Sequence, residues 1–289
     1  MATRSPVAAA RTRAAAAIAA LRGHDRQRAS TEAVEGGPGA AVAGGLGEAG
    51  AGGGGEAVPG GPGKAVEAAA RRDLADFENM RRLLAFSLAP NANCIDVGAH
   101  RGAVLAEMQR VAPGGRHIAF EPLPHLCEPL RTMFPGVEIH EAALSNHSGT
   151  ADFAYVHGVS EGWSGLLFRP LPTGADAEVE QITVRLEVLD EILDPDYAPA
   201  VIKIDVEGAE QQVFEGALGT LRRHRPIVIF EHGSGSAETY GTSPEDIYAL
   251  LNREAGLRIF DLDGSGPYTL EELQRVFYAG ERVNFVARV

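Results

Sequence analysis

Four short segments of this sequence gather side chains able to do chemistry. The first, Asp96-Val97-Gly98-Ala99-His100-Arg101-Gly102, sets a carboxylate before two glycines. Glycine is needed where backbone must approach a ligand closely, and a helix starting beyond the turn offers free N–H groups. The second is Glu121, 19 residues after Gly102. A carboxylate closing a second strand accepts hydrogen bonds from both hydroxyls of a ribose. The third, Lys203-Ile204-Asp205-Val206-Glu207-Gly208-Ala209-Glu210, crowds four charged side chains at the end of an apolar run. Lys203 and Asp205 share one face, because strand side chains alternate. The fourth is Glu231-His232. Charges this dense in an apolar setting cost free energy unless they are paired or used.

The first two segments describe a nucleoside pocket. The loop lacks GxGxxG, and no GxxxxGK followed by Ser or Thr exists, so dinucleotide and ATP phosphate cradles are disfavoured. An acid just before the glycines repels phosphate and suits a cationic, amino-acid-bearing ligand. S-adenosylmethionine fits, with a sulfonium, an ammonium, a ribose and no phosphate. Asp96 is expected near its methionine part and Glu121 on its ribose. Ala99, His100, Pro122 and Ala142 are assigned to the same pocket as Gly98 and Gly102.

The other two segments suit the methyl acceptor. In-line transfer to a hydroxyl needs the oxygen aligned with the sulfonium and a base for its proton. Asp205, Glu207, Glu231 and His232 are expected to line that side. Asp205, Glu207 or His232 is expected to take the proton, and Lys203 to pair with Asp205 or Glu207. The competing reading is an ion-pair network that caps the sheet. Two other functions are weighed: a nicotinamide-dependent oxidoreductase, and a non-catalytic nucleoside-binding module. The first lacks its glycine fingerprint, and the second has no need of so many carboxylates.

These groups must be positioned by strands. Apolar runs at 93–97, 116–121, 137–142, 201–205 and 226–231 read as buried strands. Helical patterns lie between them, over 103–111, 124–133, 207–222 and 244–253. Residues 149–156 and 181–189 read as an antiparallel pair beside the main sheet, and 257–261 and 282–288 as terminal strands. A helix is expected over 64–88. The alternation predicts an α/β, doubly wound, mostly parallel sheet with its ligand at the strands' carboxyl ends.

In order, CIDVGAHRG, AFEP, EAALSN, LEVLDEIL, IKIDVEGAE and RPIVIFEHG resemble the FkbM family of S-adenosylmethionine-dependent methyltransferases. The resemblance runs from about Asn93 to His232 and continues more weakly to the C-terminus. It implies a Rossmann-like class I methyltransferase fold with a seven-stranded sheet. Asp96, Gly98 and Gly102 match the family's cofactor loop, and Glu121 its ribose carboxylate. Lys203, Asp205, Glu207 and Gly208 match the block after the fourth strand, and Glu231 the acid closing the fifth. His100 and Arg101 depart from the family, which often has Asn and a small or apolar residue there. The implied reaction is O-methylation of a hydroxyl on a sugar, glycan or small natural product.

Composition sets the boundaries. Residues 1–70 hold 22 Ala and 15 Gly, too few apolar side chains to offset the entropy of ordering them. Residues 1–64 are therefore expected to be a disordered low-complexity extension. The domain is expected over 65–289, with a leading helix at 65–88, a cofactor half at 93–145 and an acceptor half at 146–289. Residues 71–289 carry 19 basic and 33 acidic residues, which disfavours nucleic acid as a partner. Cys94 and Cys127 make no disulfide framework, and no metal is expected. No run is long and apolar enough to cross a membrane. A cytoplasmic location is expected, with organellar targeting by the Arg- and Ala-rich start as the alternative. The oligomeric state is left open.

Two further features are weighed. Asp261–Glu272 has EF-hand spacing. A plain turn with Thr269 capping a helix over 270–276 is preferred, because the preceding LRIFD reads as a strand. Trp163, in an irregular stretch over 158–176, is read either as a sugar-stacking ring or as core.

Overall fold

The computed structural model describes residues 62–158, 164–167 and 178–289. The extension expected over 1–64 falls almost wholly outside the described residues, and so does Trp163. The chain divides between Asp73 and Leu74, and the site lies within the unit Leu74–Val289.

Five strands form the parallel part of the main sheet: β1 (Asn93–Val97), β2 (His117–Phe120), β3 (Glu138–His140), β7 (Pro199–Ile204) and β8 (Ile227–Glu231). Two more, β9 (Arg258–Asp261) and β10 (Asn284–Arg288), complete seven strands in the order β3-β2-β1-β7-β8-β10-β9. Strand β10 runs antiparallel to both its neighbours. The remaining strands, β4 (Ala143–Leu144), β5 (Gly149–Val156) and β6 (Val179–Glu187), make a small separate sheet. The antiparallel β5–β6 pair is the one that alternation in the sequence predicts.

The sheet is covered on both faces, and the side chains show it. Ile202, Ile204, Val228, Phe230, Phe285 and Ala287 pack with Phe214, Leu221 and Ile247. Their chain neighbours Val201, Ile229 and Val286 pack on the other side with Met80, Leu84 and Met108. Alternate residues therefore enter opposite cores, which is why these strands read as unbroken apolar runs. Burial of each such side chain contributes about 1.5–3 kcal/mol.

The helices are α1 (Pro62–Ser87), α2 (Ala103–Val111), α3 (Pro124–Met133), α4 (Leu189–Ile192), α5 (Glu210–Gly216), α6 (Leu218–His224), α7 (Pro244–Tyr248) and α8 (Leu270–Tyr278). Two expected helices are altered. The one expected over 207–222 starts three residues late and breaks at Ala217. Gly216 is pressed on Ser145, where a Cβ would lie 2.1 Å from the carbonyl oxygen. The new start at α6 is then capped from a distance: Asp190 accepts from the N–H groups of Gly219 and Thr220 at 2.6 and 2.8 Å. Those amides have no partner inside the helix. The helix expected over 244–253 ends at Tyr248 and continues as π-helix over Ala249–Glu254.

From β1 the chain steps outward through β2 to β3, then returns to the opposite side of β1 as β7. The reversal opens a crevice between the carboxyl ends of β1 and β7. Phe214, fully buried, and Phe86, 91% exposed, make a matched test of the core. Phe214→Ala is expected to lower unfolding free energy by about 3–5 kcal/mol. Phe86→Ala is expected to change it by less than about 0.5 kcal/mol. Urea midpoints of the two variants check this.

Candidate functional site

Register creates the centre of the site. Asp96 on β1 stands opposite Lys203 on β7, so both side chains leave the same face. The Lys203 Nζ lies 3.5 Å from Asp96 Oδ1 and 3.5 Å from Asp205 Oδ2. It also donates to the carbonyls of Gly98 and Val97 at 2.9 and 3.4 Å. Asp96 is fully buried, and neither of its oxygens has a hydrogen-bond partner of normal geometry. Burial pushes its carboxyl up, against the pull of Lys203. Burial alone would lower the Lys203 ammonium, but Asp205 and Asp96 more than reverse this and leave it raised.

The loops around this pair are in tight contact. Gly98 has φ 74°, and a Cβ on it would lie 2.0 Å from the Asp205 carbonyl oxygen. Only glycine lets the loops after β1 and β7 meet there. The N–H groups of Gly98 and Ala99 both donate to Phe120 O at 3.0 Å, which ties the loop to the end of β2. His100, with φ 49°, donates its N–H to Glu121 Oε2 at 2.8 Å. Leu123 N–H donates to Glu121 Oε1 at 3.0 Å. Burial pushes Glu121 up to about 7, against these two donors. Pro122 beside it is half-buried and Ala142 fully buried. Gly102, with φ 77°, opens α2 against Leu130 and Phe134.

The loop after β7 is shaped by a residue that the sequence reading left without a role. Glu210 is buried at the start of α5, and its Oε1 accepts from Val206 and Gly208 N–H at 3.2 and 3.1 Å. Burial pushes it up to about 7. Around it the chain takes left-handed backbone at Glu207, φ 59°, and φ 113° at Gly208. For a non-glycine residue that costs about 1 kcal/mol or more and is common at functional loops. A sequence signal exists: an acid at a helix start, three residues after Glu207, suits orphan N–H groups.

The structure brings Asp96, Gly98, His100, Glu121, Lys203 and Asp205 together. Glu231 closes β8 half-buried, paired across the ladder with Asn284. His232 is enclosed. It has no exposed surface, its ring stacks on Phe277 with centroids 4.6 Å apart, and neither ring nitrogen has a hydrogen-bond partner. Burial pushes it down to about 4, so it is neutral near pH 7. Of the three expected proton acceptors, Asp205 and Glu207 have solvent-exposed surface and His232 has none.

The EF-hand-like stretch is a turn and a cap. Asp261 pairs with Arg282, Asp263 accepts from Ser265 N–H at 2.8 Å, and Thr269 and Glu272 form a capping box at α8. His140 sits between Glu187 and Glu138 at 2.8 Å from each, and His117 contacts Ala112 O at 2.8 Å. Both occupy structural positions.

The sheet order, the glycine turn after β1 and the acid after β2 define a Rossmann-like class I methyltransferase fold. The family model of the methyltransferase FkbM domain matches residues 96–259, and the chain belongs to that family. No curated protein matches it. Similar solved structures include methyltransferase FkbM from Methylobacillus flagellatus KT, 16% identical over 70% of this chain with TM-score 0.44. This chain spans 44% of that protein's length. A TehB-like SAM-dependent methyltransferase from Corynebacterium glutamicum ATCC 13032 is 14% identical, over 78% of this chain and 97% of that one, with TM-score 0.40. The plantazolicin methyltransferase BpumL in complex with SAH is 10% identical, over 74% of this chain and 80% of that one, with TM-score 0.37. At TM-scores under 0.5 these likenesses are loose, and the family match places the chain.

Glu121 has a consequence for stability. Its folded pKa, about 7, exceeds the ordinary glutamate value, so the folded state holds the proton more tightly. Its contribution is greatest below about pH 4.5 and is lost as pH rises through about 7. Glu121→Gln removes that titration. The variant is expected to gain on wild type by on the order of 2–3 kcal/mol between pH 4.5 and 8, then to stay level. Urea denaturation of both proteins across that range measures it.

Proposed function

We propose that this chain is an S-adenosylmethionine-dependent methyltransferase that methylates a hydroxyl on a sugar, glycan or other small natural product. The observation that carries the reading is the Glu121 carboxylate, held by the N–H groups of His100 and Leu123 beside the glycine turn. Each of its oxygens has capacity for a second donor, as two ribose hydroxyls require. The donor set also fits the charge of the cofactor. Asp96 is a buried carboxylate paired with Lys203, its oxygens without hydrogen-bond partners of normal geometry, next to a turn that carries no phosphate cradle. The family match supports the same reading. We place the extension at residues 1–64 and the catalytic domain at 65–289, its cofactor half at 93–145 and its acceptor half at 146–289.

When bound, S-adenosylmethionine supplies an electrophilic methyl group on a sulfonium. The chain does the rest. Glu121 accepts the ribose hydroxyls, and Gly98, Ala99, His100 and Gly102 give the backbone room to approach. Pro122 and Ala142 border the pocket. Lys203 sets Asp96 and Asp205 on either side of one positive charge. Asp205 or Glu207 takes the proton of the acceptor hydroxyl, and Glu231 lines the acceptor side. His232 is enclosed and neutral, with its ring against Phe277.

Calorimetric titration of the full chain with S-adenosylmethionine, S-adenosylhomocysteine and NAD tests this. Micromolar binding of the first two and none of NAD is expected. Glu121→Ala is expected to weaken both by about 100-fold, the loss of two hydrogen bonds to a charged group. Binding of NAD alone, or of none of the three by folded protein, overturns the reading. With an acceptor found by screening hydroxylated metabolites and glycans, Glu207→Gln and Asp205→Asn separate the two candidate bases. The true base is expected to lose about 100-fold or more in kcat with cofactor affinity kept.

A further inference from the structure

Tyr240 touches two elements that the sequence separates widely. It ends the 3-10 helix Ala237–Tyr240, which follows β8. Its ring lies against Gly208, where a Cβ would fall 2.7 Å from Tyr240 Cδ2. That glycine belongs to the loop carrying Asp205 and Glu207. The Tyr240 hydroxyl oxygen accepts the N–H of Leu167 at 2.9 Å, and a Cβ on Gly165 would lie 3.1 Å from it.

Ser164–Leu167 is held at its other side by the small sheet. Gly165 and Ala154 of β5 exchange backbone hydrogen bonds at 2.8 and 3.1 Å, and Ser164 Oγ accepts from Val156 N–H at 3.0 Å. Leu166 packs on the cluster of Leu123, Leu126, Phe153, Val184 and Leu186. Leu123 lies two residues after Glu121 and donates to it. One side of this segment therefore rests beside the end of β2, and the other on the loops that follow β7 and β8. In the sheet order β2-β1-β7-β8, β1 lies between those two anchors.

We propose that Tyr240 is a positioning residue that latches Gly165–Leu167 across the crevice and so retains the bound cofactor. The proposal rests on the methyltransferase reading. Tyr240 acts through the segment, where the Leu167 amide donates to its phenol oxygen. Its ring also keeps the loop at Gly208 in place, so the latch couples the cofactor's cover to the acceptor-side carboxylates.

The test uses Tyr240→Phe in the full chain, which removes the hydroxyl and keeps the ring against Gly208. Two quantities are measured: hydrogen exchange at the Leu167 amide, and stopped-flow association and dissociation of S-adenosylhomocysteine. The proposal expects faster exchange at Leu167. It also expects dissociation five- to tenfold faster, about what one neutral hydrogen bond is worth, with association and Tm little changed. Unaltered exchange at Leu167 overturns the latch. Faster exchange with unaltered dissociation shows a latch that covers something other than the cofactor, and overturns the proposal. A lowered Tm with wild-type dissociation reduces Tyr240 to a packing residue. Wild-type protein that binds no S-adenosylhomocysteine overturns the methyltransferase reading itself, an outcome distinct from the others.

Discussion

One buried ammonium organises this crevice. Lys203 meets Asp96 because parallel register sets them opposite each other on one face. Its charge is desolvated, a cost of several kcal/mol that two carboxylates and two carbonyl oxygens must offset together. The carbonyls belong to Val97 and Gly98, where the chain leaves β1, and Asp205 begins the loop after β7. A single point charge therefore fixes both loops at the reversal of the sheet. The rest follows by contact. With Gly98 seated on the Asp205 carbonyl, Ala99 ties to Phe120, His100 reaches Glu121, and Glu121 is set for a ribose.

Most of the parallel sheet was legible because its signal is local. Both faces are buried, so the strands read as apolar runs, and glycine or proline punctuates their ends. The bounds Asn93–Val97, Ala103–Val111, Pro124–Met133 and Gly149–Val156 fall where the pattern put them. What was hidden is set by distant contacts. The break at Ala217 depends on Ser145 and on a cap supplied by Asp190. Nothing near those residues announces either. The same holds within the candidate site. Types and spacing named Asp96, Glu121, Lys203 and Asp205, which the fold assembles. Sequence placed His232 at the same strand end, yet its enclosure against Phe277 depends on a helix some 40 residues on. Tyr240 carried no signal, since its contacts are with residues about 30 and 75 positions earlier.

The acidic character of this part of the chain has a structural use as well. Asp190, Glu210, Asp246 and Glu272 each accept backbone N–H groups at the start of a helix or at the loop leading into one. Such carboxylates take up donors that helical geometry leaves without partners and oppose the positive end of the helix dipole. These four acids thus serve helix starts in the fold.

Strand β10 lies between β8 and β9 although it is made after both. Until Asn284–Arg288 is in place, β8 and β9 have no strand between them. The facing edge of each then carries a row of unpaired N–H and C=O groups. Asn284–Arg288 closes the gap from both sides at once, pairing Phe285 with Phe230 on one side and with Asp261 on the other. The sheet can therefore be finished only once this segment has cleared the exit tunnel, and until then the nascent chain carries the exposed edges that invite misassembly.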